Sequence, residues 1–197
     1  MNIKYKIKFY SDWHCGSGLS SGTDLDLLII KDKADLPFVP GKTIKGLLLE
    51  AVEEINEFSG RKFDTDVQEV FGVFDSKEKA KQGCCFFTNA TIEKELGEAI
   101  TKGKLQEHLY RTIASTAIGE NGVAEEHSLR KMEVTIPCEL TGEIMYVPDS
   151  YFEKNEETGK ITGVGFGKIL EDGLKFIKRL GQNRNRGLGR CSFEIIQ

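Results

Sequence analysis

Apolar and polar residues alternate over the first ten positions of the chain, which is typical of a half-buried β-strand. This strand would cover about residues 2–10. One of its faces would carry Ile3, Tyr5, Ile7 and Phe9. A loop of small residues, HCGSGLSSGTD (14–24), follows it, and the apolar run LDLLII (25–30) then predicts a buried strand or a strand-like segment.

Apolar residues at helical spacing predict two helices. The first begins near Lys42, and the second covers about residues 164–180 with Gly181 as its stop. The apolar stripe of the first helix is Ile44, Leu47, Leu48, Ala51, Val52 and Ile55. That of the second is Phe166, Ile169, Leu170, Leu174, Ile177 and Leu180. We expect both stripes to pack against a core.

Further strands are predicted between and after the helices. CCFFTNATI (84–92) and the closing segment RCSFEII (190–196) have strong β propensity. YRTIASTAI and LRKMEVTIP flank a polar connector, GENGVAEEHS, which predicts a long hairpin or projecting arm over about residues 108–135. The β pattern continues to about residue 147, and Pro137 indicates an edge, a bulge or a break. EKNEETGKITG (153–163) is typical of an exposed turn.

The order of these elements predicts an α+β fold. It is a ferredoxin-like (RRM-like) βαββαβ core with a projecting thumb hairpin and insertions. No repeat or linker divides the chain, so residues 1–197 would form a single domain, with residues 59–82 as an insertion between helix and sheet.

Composition and charge narrow the function classes. The net charge of −4 argues against indiscriminate binding of nucleic acid over the whole surface, and no apolar run is long enough to span a membrane. Five cysteines without a CxxC pair indicate reduced core thiols in a cytoplasmic protein. Adjacent Cys84 and Cys85 would point to opposite faces of a strand, so no firm metal site is predicted there.

The tripeptide Gly41-Lys42-Thr43 looks like the end of a phosphate-binding P-loop, but the pattern is incomplete. The motif needs a glycine five residues earlier, where this chain has Leu36. Pro37 and Pro40 also lack the N–H groups that such a loop turns towards phosphate. We therefore expect no nucleotide site in this segment.

Local positive charge is concentrated near the end of the chain. Between Lys175 and Arg190 there are six basic residues and no acidic one, and the loop GQNRNRGLGRCSF (181–193) contains three glycines. Arginines bind phosphates bidentately, and glycines let a loop approach a ligand backbone. The alternative is a solvated basic helix end followed by a glycine turn.

Three separated motifs together resemble the RAMP superfamily of CRISPR-associated RNA-binding proteins, and most closely its Cas7-like backbone subunit of type III effector complexes. They are the His-containing loop after the first strand, the segment PFVPGKTIKGLLLEA (37–51) and the RGLGR loop. The family pattern at the second motif is similar to P-[FY]-[IV]-P-G-[ST]-x-[LIV]-K-G. It is matched by Pro37, Phe38, Val39, Pro40, Gly41, Ile44, Lys45 and Gly46, with Lys42 in place of the usual small hydroxyl residue. The segment TAIGENGVAEEHSLRKMEV resembles the thumb hairpin that kinks the guide RNA.

The resemblance implies a subunit that binds guide RNA (crRNA) and target RNA beside other CRISPR effector subunits, including neighbouring RAMP subunits. The RNA-binding candidates are His14, Lys42, Lys45, Arg130, Arg184, Arg186, Gly187, Gly189 and Arg190. The first-turn N–H groups of helix 1 would meet an RNA phosphate, with lysines beside them. Otherwise Lys42 and Lys45 are ordinary surface lysines.

The resemblance also implies a catalytic aspartate for cleavage of target RNA with a divalent metal such as Mg²⁺. Asp26 occupies the corresponding position, ahead of Lys31-Asp32, and Asp24 is a competing carboxylate. A single carboxylate would share the ion with RNA phosphates. Alternatively, both aspartates satisfy loop N–H groups as Asx turns.

Two other functions remain open. His14 could serve as the general base of a RAMP-fold endoribonuclease that processes the precursor guide RNA, although such enzymes usually have two ferredoxin-like halves. A non-catalytic subunit that docks mainly on protein partners is the other alternative.

Overall fold

The structure is a computed structural model that describes residues 2–18, 25–60, 64–73, 81–147 and 164–196. Within these ranges the helices are α1 (Gly41–Ser59), α2 (Asp64–Phe71), α3 (Lys94–Lys102) and α4 (Val164–Phe176). The strands are β1 (Asn2–Phe9), β2 (Phe38–Val39), β3 (Gly72–Val73), β4 (Lys81–Gln82), β5 (Cys85–Phe87), β6 (Ala90–Thr91), β7 (Tyr110–Ser115), β8 (Arg130–Thr135), β9 (Glu139–Tyr146) and β10 (Cys191–Ile196).

The main sheet is antiparallel, and β1 and β9 are neighbouring inner strands. β1 pairs with β10 on one side and with β9 on the other, and the order continues through β6 to β2. β5 also pairs with β9, so β5 and β6 together act as one interrupted strand. With α1 and α4 as the crossovers, this is the βαββαβ arrangement with strand order 4-1-3-2, and it confirms the predicted ferredoxin-like core.

One face of the sheet forms the core and the other faces solvent. In β1 the alternation predicted from sequence is observed, with Tyr5 and Ile7 fully buried. α1 and α4 cover the apolar face, and they approach each other closely where Gly173 meets Leu48 and Val52. The opposite face is polar. Its ion pairs join Lys6 and Lys8 to Glu139.

A hairpin lies outside the main sheet. β7 and β8 pair antiparallel from Tyr110↔Thr135 to Ser115↔Arg130 and form a separate two-stranded sheet. Beyond it the turn region exposes Ile118 and Val123. The projecting hairpin of the predicted fold class is therefore confirmed.

The predicted strand at residues 84–92 is interrupted. Thr88 bonds Glu143 through both its backbone N–H and its hydroxyl oxygen, and Asn89 uses its side-chain oxygen to accept the N–H of Gly41. These side-chain bonds divide the segment into β5 and β6. The sequence showed β propensity there but not the competing side-chain bonds.

The predicted second helix ends earlier than expected. α4 stops at Phe176, because the next residues bond to the C-terminal loop instead of continuing the helix. Leu180 donates its N–H to Gly189, and Cys191 donates to Lys178. This short ladder fixes the entry and exit of residues 181–188.

Two further segments differ from expectation. LDLLII (25–30) forms isolated bridges, Gly16↔Ile29 and Leu27↔Met132, and no regular strand. α3 was not predicted because it has only 9 residues, so its apolar positions Leu96, Ala99 and Ile100 repeat over little more than one turn. The predicted turn at 153–163 lies outside the described residues, and the boundaries of the 59–82 insertion remain a prediction.

No helix in the described part of the chain has the length and apolar composition needed to cross a membrane.

Candidate functional site

Residues 12–14, directly after β1, form a buried junction between the hairpin and the C-terminal loop. Trp13 exchanges two backbone hydrogen bonds with Thr135, at 3.0 and 2.9 Å. On the other side, Gly189 donates its N–H to the Asp12 carbonyl, and Gln182 donates to the His14 carbonyl. The loop after β1 is therefore held from two directions.

His14 is fully buried in this junction, and its tautomer follows from its partner. Nδ1 lies 2.7 Å from the carbonyl oxygen of Glu133, so Nδ1 carries the hydrogen. Among the described residues, Nε2 has no hydrogen-bond partner. Nε2 is therefore a buried polar atom that can take an additional partner, and it lies beside Gly16.

The start of α1 lies against the sheet. Gly41 is required by close packing, because a Cβ at this position would collide with the carbonyl oxygen of Phe87. Its N–H is taken by Asn89, and those of Thr43 and Ile44 both bond to Pro40. The expectation that the first-turn N–H groups meet a phosphate is therefore too broad. The helix start attracts an anion through its dipole and the charge of Lys42.

The His-containing loop, the start of α1 and the C-terminal loop meet in a cleft of about 330 Å³. Three of the predicted RNA-binding residues line it: His14, Lys42 and Arg184. The other lining residues are Cys15, Gly16, Ser17, Ile30, Pro40, Thr43, Leu47, Gly181 and Gln182. Segments more than 160 residues apart in sequence thus share one concave surface.

Glycines give the C-terminal loop its path beside the junction. Gly181 has φ 94° and Gly189 has φ 67°, values in the left-handed region that glycine accommodates best. A Cβ would collide with the His14 carbonyl oxygen at Gly181 and with the Leu180 carbonyl oxygen at Gly189. The sequence suggested that these glycines let the loop approach a ligand, and in the structure they let it approach its own chain.

The basic residues of this loop are mostly open to solvent. Arg184 forms an ion pair of 3.0 Å with Glu50 at the rim of the cleft. Such an exposed pair contributes little stability, so Arg184 can exchange Glu50 for a phosphate at small cost. Arg186 and Gly187 are exposed in the same loop.

Other predicted RNA-binding residues lie away from the cleft. Arg190 lies over the ring of Tyr10, 6.0 Å from its centroid. Arg130 is exposed at the start of β8 on the hairpin. The pKa of the Cys85 thiol is raised, chiefly by its hydrogen bond with Cys84. The positive charge of Lys45 acts to lower the same pKa, so Lys45 lies near Cys85.

Asp26 is exposed and hydrogen-bonded to the hairpin. Its Oδ2 accepts the N–H of Lys131 at 2.7 Å, and its own N–H donates to the carbonyl of the same residue. This bond joins the carboxylate to a strand residue of the hairpin, so it is not the local Asx turn that the structural alternative expected. Asp24 lies outside the described residues.

The described residues contain no group of three or more His, Cys, Asp or Glu side chains that could hold a metal ion. Asp26 by itself offers one carboxylate, which fits a divalent ion only if RNA phosphates complete the coordination. The Sγ atoms of Cys84 and Cys85 are 4.0 Å apart, contrary to the expectation of opposite faces, because Cys84 precedes β5.

Glu133 was not predicted, and it organises the segment that carries Asp26. Its carboxylate binds Lys31 at 2.7 Å and accepts the N–H of Ile29, while its backbone carbonyl binds His14. Lys31 also lies 4.0 Å from the ring centroid of Tyr110. Nothing in the alternation of β8 distinguishes this glutamate from a solvent-facing one.

Comparison with known proteins gives a family and a fold. The model of the family described as "RAMP superfamily" matches residues 6–192. No curated protein sequence matches the chain significantly. A chain of the cryo-EM structure of the type III-B Cmr-beta bound to cognate target RNA is similar, with TM-score 0.66 and 11% identity, over 99% of this chain and 97% of that one. A chain of the apo-state Cmr-beta structure gives TM-score 0.70 and 11% identity, over 100% and 98%. At this identity the two structures show a shared fold.

Proposed function

Because the chain belongs to the RAMP superfamily, we propose that it binds guide RNA as a backbone subunit of a type III CRISPR ribonucleoprotein. The observation that carries the proposal is the cleft in which His14, Lys42 and Arg184 meet. Its partners would be guide RNA, target RNA and neighbouring effector subunits in the cytoplasm. The similar chain in a target-RNA-bound complex supports this context.

The cleft suits a sugar-phosphate backbone better than a free nucleotide. Lys42 and Arg184 provide positive charge at its rim, and the positive end of the α1 dipole adds to it. Contacts of this kind give affinity without reading base sequence, which is left to pairing between guide and target. Affinity should therefore decrease steeply with salt.

Charge reversal tests the RNA-binding proposal. We expect Lys42→Glu and Arg184→Glu each to weaken binding of labelled guide RNA at least tenfold in a filter-binding assay, with a smaller salt slope. Lys4→Glu is the matched control, because it changes the net charge equally on the open face of the sheet. Unchanged affinity in both cleft variants would contradict the proposal.

Asp26 supports a second step, cleavage of the target RNA. It is exposed, and its bonds to Lys131 fix the position of its carboxylate while leaving Oδ1 free to approach solvent. A bound Mg²⁺ would stabilise charge on the reacting phosphate. The carboxylate would orient this ion, shared with RNA phosphates, beside the target strand.

Substitution of Asp26 separates cleavage from binding. Asp26→Asn keeps an oxygen that can accept the Lys131 N–H and removes the charge, so we expect target cleavage by the reconstituted complex to decrease at least 100-fold. Guide binding should stay within twofold. Asp24→Asn is the parallel variant, and cleavage that persists in Asp26→Asn would assign the step elsewhere.

The geometry does not favour His14 as the base of a guide-processing enzyme. A general base must reach the 2′-hydroxyl, and although Nε2 of His14 has no partner among the described residues, the side chain is fully buried. Its position instead supports a role in shaping the floor of the cleft.

A further inference from the structure

Lys31 and Asp32 form a basic-acidic pair ahead of α1, and the proposed RNA contacts use neither of them. In the structure, Nζ of Lys31 lies 2.7 Å from Oε1 of Glu133 on β8. The same atom lies 4.0 Å from the centroid of the Tyr110 ring on β7. One side chain therefore contacts both strands of the hairpin.

The ion pair between Lys31 and Glu133 is sheltered from solvent. The side chain of Lys31 is 28% exposed and that of Glu133 is 12% exposed, so little water competes for the two charges. The second carboxylate oxygen of Glu133 accepts the N–H of Ile29 at 3.3 Å. Loss of Lys31 would leave this largely buried carboxylate uncompensated, and it would then be drawn towards solvent and away from Ile29.

Asp32 fixes the turn that follows Lys31. Its Oδ1 accepts two backbone N–H groups of this turn, at 2.8 and 2.9 Å. The Tyr110 hydroxyl donates to the carbonyl of Asp35 in the same turn, at 2.6 Å. The ring that Lys31 covers is therefore tied to the backbone beside Lys31, and both members of the basic-acidic pair hold their segment on the hairpin.

The segment that carries Asp26 is attached to the same hairpin. Asp26 bonds to the backbone of Lys131 through its own N–H and through its carboxylate. The carbonyl of Leu27 accepts the N–H of Glu133 at 3.0 Å, and Ile29 bonds to the Glu133 carboxylate. The position of the Asp26 carboxylate therefore depends on how closely residues 26–31 lie against β8.

We propose that Lys31 is a positioning residue for cleavage of the target RNA. Its ion pair with Glu133 holds residues 26–31 against the hairpin and so determines where the Asp26 carboxylate lies. This inference rests on the proposed cleavage step and adds a residue to it. Because a displacement of about 1 Å can slow a reaction about 100-fold, a residue that acts only through others can still control the rate.

The first test is Lys31→Met in the reconstituted complex. Methionine keeps an unbranched side chain over the Tyr110 ring and removes the charge. We expect cleavage of labelled target RNA to decrease about tenfold while guide affinity stays within about twofold of the wild type. Lys31→Arg keeps the charge and should retain most of the cleavage.

Lys6→Met is the matched control for this substitution. It removes the same charge from another ion pair, Lys6 with Glu139 at 3.0 Å, on the open face of the sheet. Cleavage should stay within about twofold of the wild type, because an exposed pair contributes little.

A double variant separates positioning from a general loss of structure. In Lys31→Met with Glu133→Gln, the neutral amide is no longer drawn to solvent and can still accept the N–H of Ile29. Cleavage should therefore recover to within about threefold of the wild type. Damage that was merely structural would instead add up in the double variant.

Amide hydrogen exchange of the full chain, without RNA or metal, gives a readout that is independent of activity. The amides of Asp26 and Ile29 should exchange about tenfold faster in Lys31→Met than in the wild type. In the double variant they should exchange nearly as slowly as in the wild type.

The outcomes distinguish the inference from the proposed step. If Asp26→Asn stops cleavage and Lys31→Met cleaves normally, the inference is wrong and the proposed step stands. If Asp26→Asn cleaves as the wild type does, both are wrong. A double variant as slow as Lys31→Met, or unchanged exchange of Ile29 in Lys31→Met, would also overturn the inference, because Lys31 would then not act through Glu133.

Discussion

At the scale of single residues, the junction after β1 contains an ion pair whose two members differ in burial. Asp12 is 5% exposed, and its Oδ2 accepts from Nε and Nη2 of Arg111 on β7. Arg111 is mostly exposed. The other carboxylate oxygen of Asp12 has no partner among the described residues. The carboxylate therefore depends on the arginine more than the arginine depends on it.

This asymmetry predicts unequal costs for removing the two partners. Arg111→Ala leaves a buried charge without compensation and should lower the free energy of unfolding by about 3 kcal/mol. Asp12→Asn leaves a solvated arginine and should cost about 1–2 kcal/mol. Urea unfolding of the two variants measures the difference. An equal or reversed order would show that Asp12 is stabilised by groups other than Arg111.

At the scale of elements, the long amphipathic and alternating segments were predictable from sequence. β1, α1 and β10 appear where the apolar periodicity placed them, because burial of one face determines them. The end of α4 at Phe176 was not predictable, since it depends on a ladder with residues 189–191. The division of residues 84–92 depends in the same way on partners from α1 and β9.

In the candidate site, too, features that depend on distant contacts were not predictable from the sequence. The sequence placed His14, Lys42 and Arg184 in three motifs, and their meeting in one cleft could be expected only through the family resemblance. The role of Glu133 could not be predicted from the sequence. Its role comes from contacts with Lys31, Ile29 and His14, which are more than 100 residues earlier in the chain. Contacts of such separation leave no local pattern.

At the scale of the whole molecule, stability should depend on alkaline pH through buried thiols. Burial raises the pKa of Cys15 and of Cys191 to about 12, and that of Cys138 to about 11. In the unfolded chain the pKa of each of these thiols is near its ordinary value of 9.0. Between about pH 9 and the raised pKa of each thiol, the native state keeps a proton that the unfolded state has lost.

The sign of the effect follows from proton linkage. Above about pH 9 the unfolded state binds fewer protons, so the free energy of unfolding should decrease with pH, by up to about 1.4 kcal/mol per pH unit for each thiol. Urea unfolding at about pH 8 and about pH 10.5 should show this slope. Replacing the three cysteines by alanine should flatten most of it, and an unchanged slope would assign the effect instead to Cys85 or to Tyr5 and Tyr110, whose pKa values are also raised.

The buried junction at residues 12–14 affects the order in which the fold is completed during synthesis. The loop that carries His14 leaves the ribosome early. Gln182 and Gly189, whose N–H groups donate to the carbonyls of His14 and Asp12, are made about 170 residues later. At ordinary translation rates of about 5–20 residues per second, the cleft stays incomplete for roughly 10–35 seconds. A nascent chain therefore has no finished cleft to offer RNA, and engagement with the guide is delayed until the sheet has closed through β10.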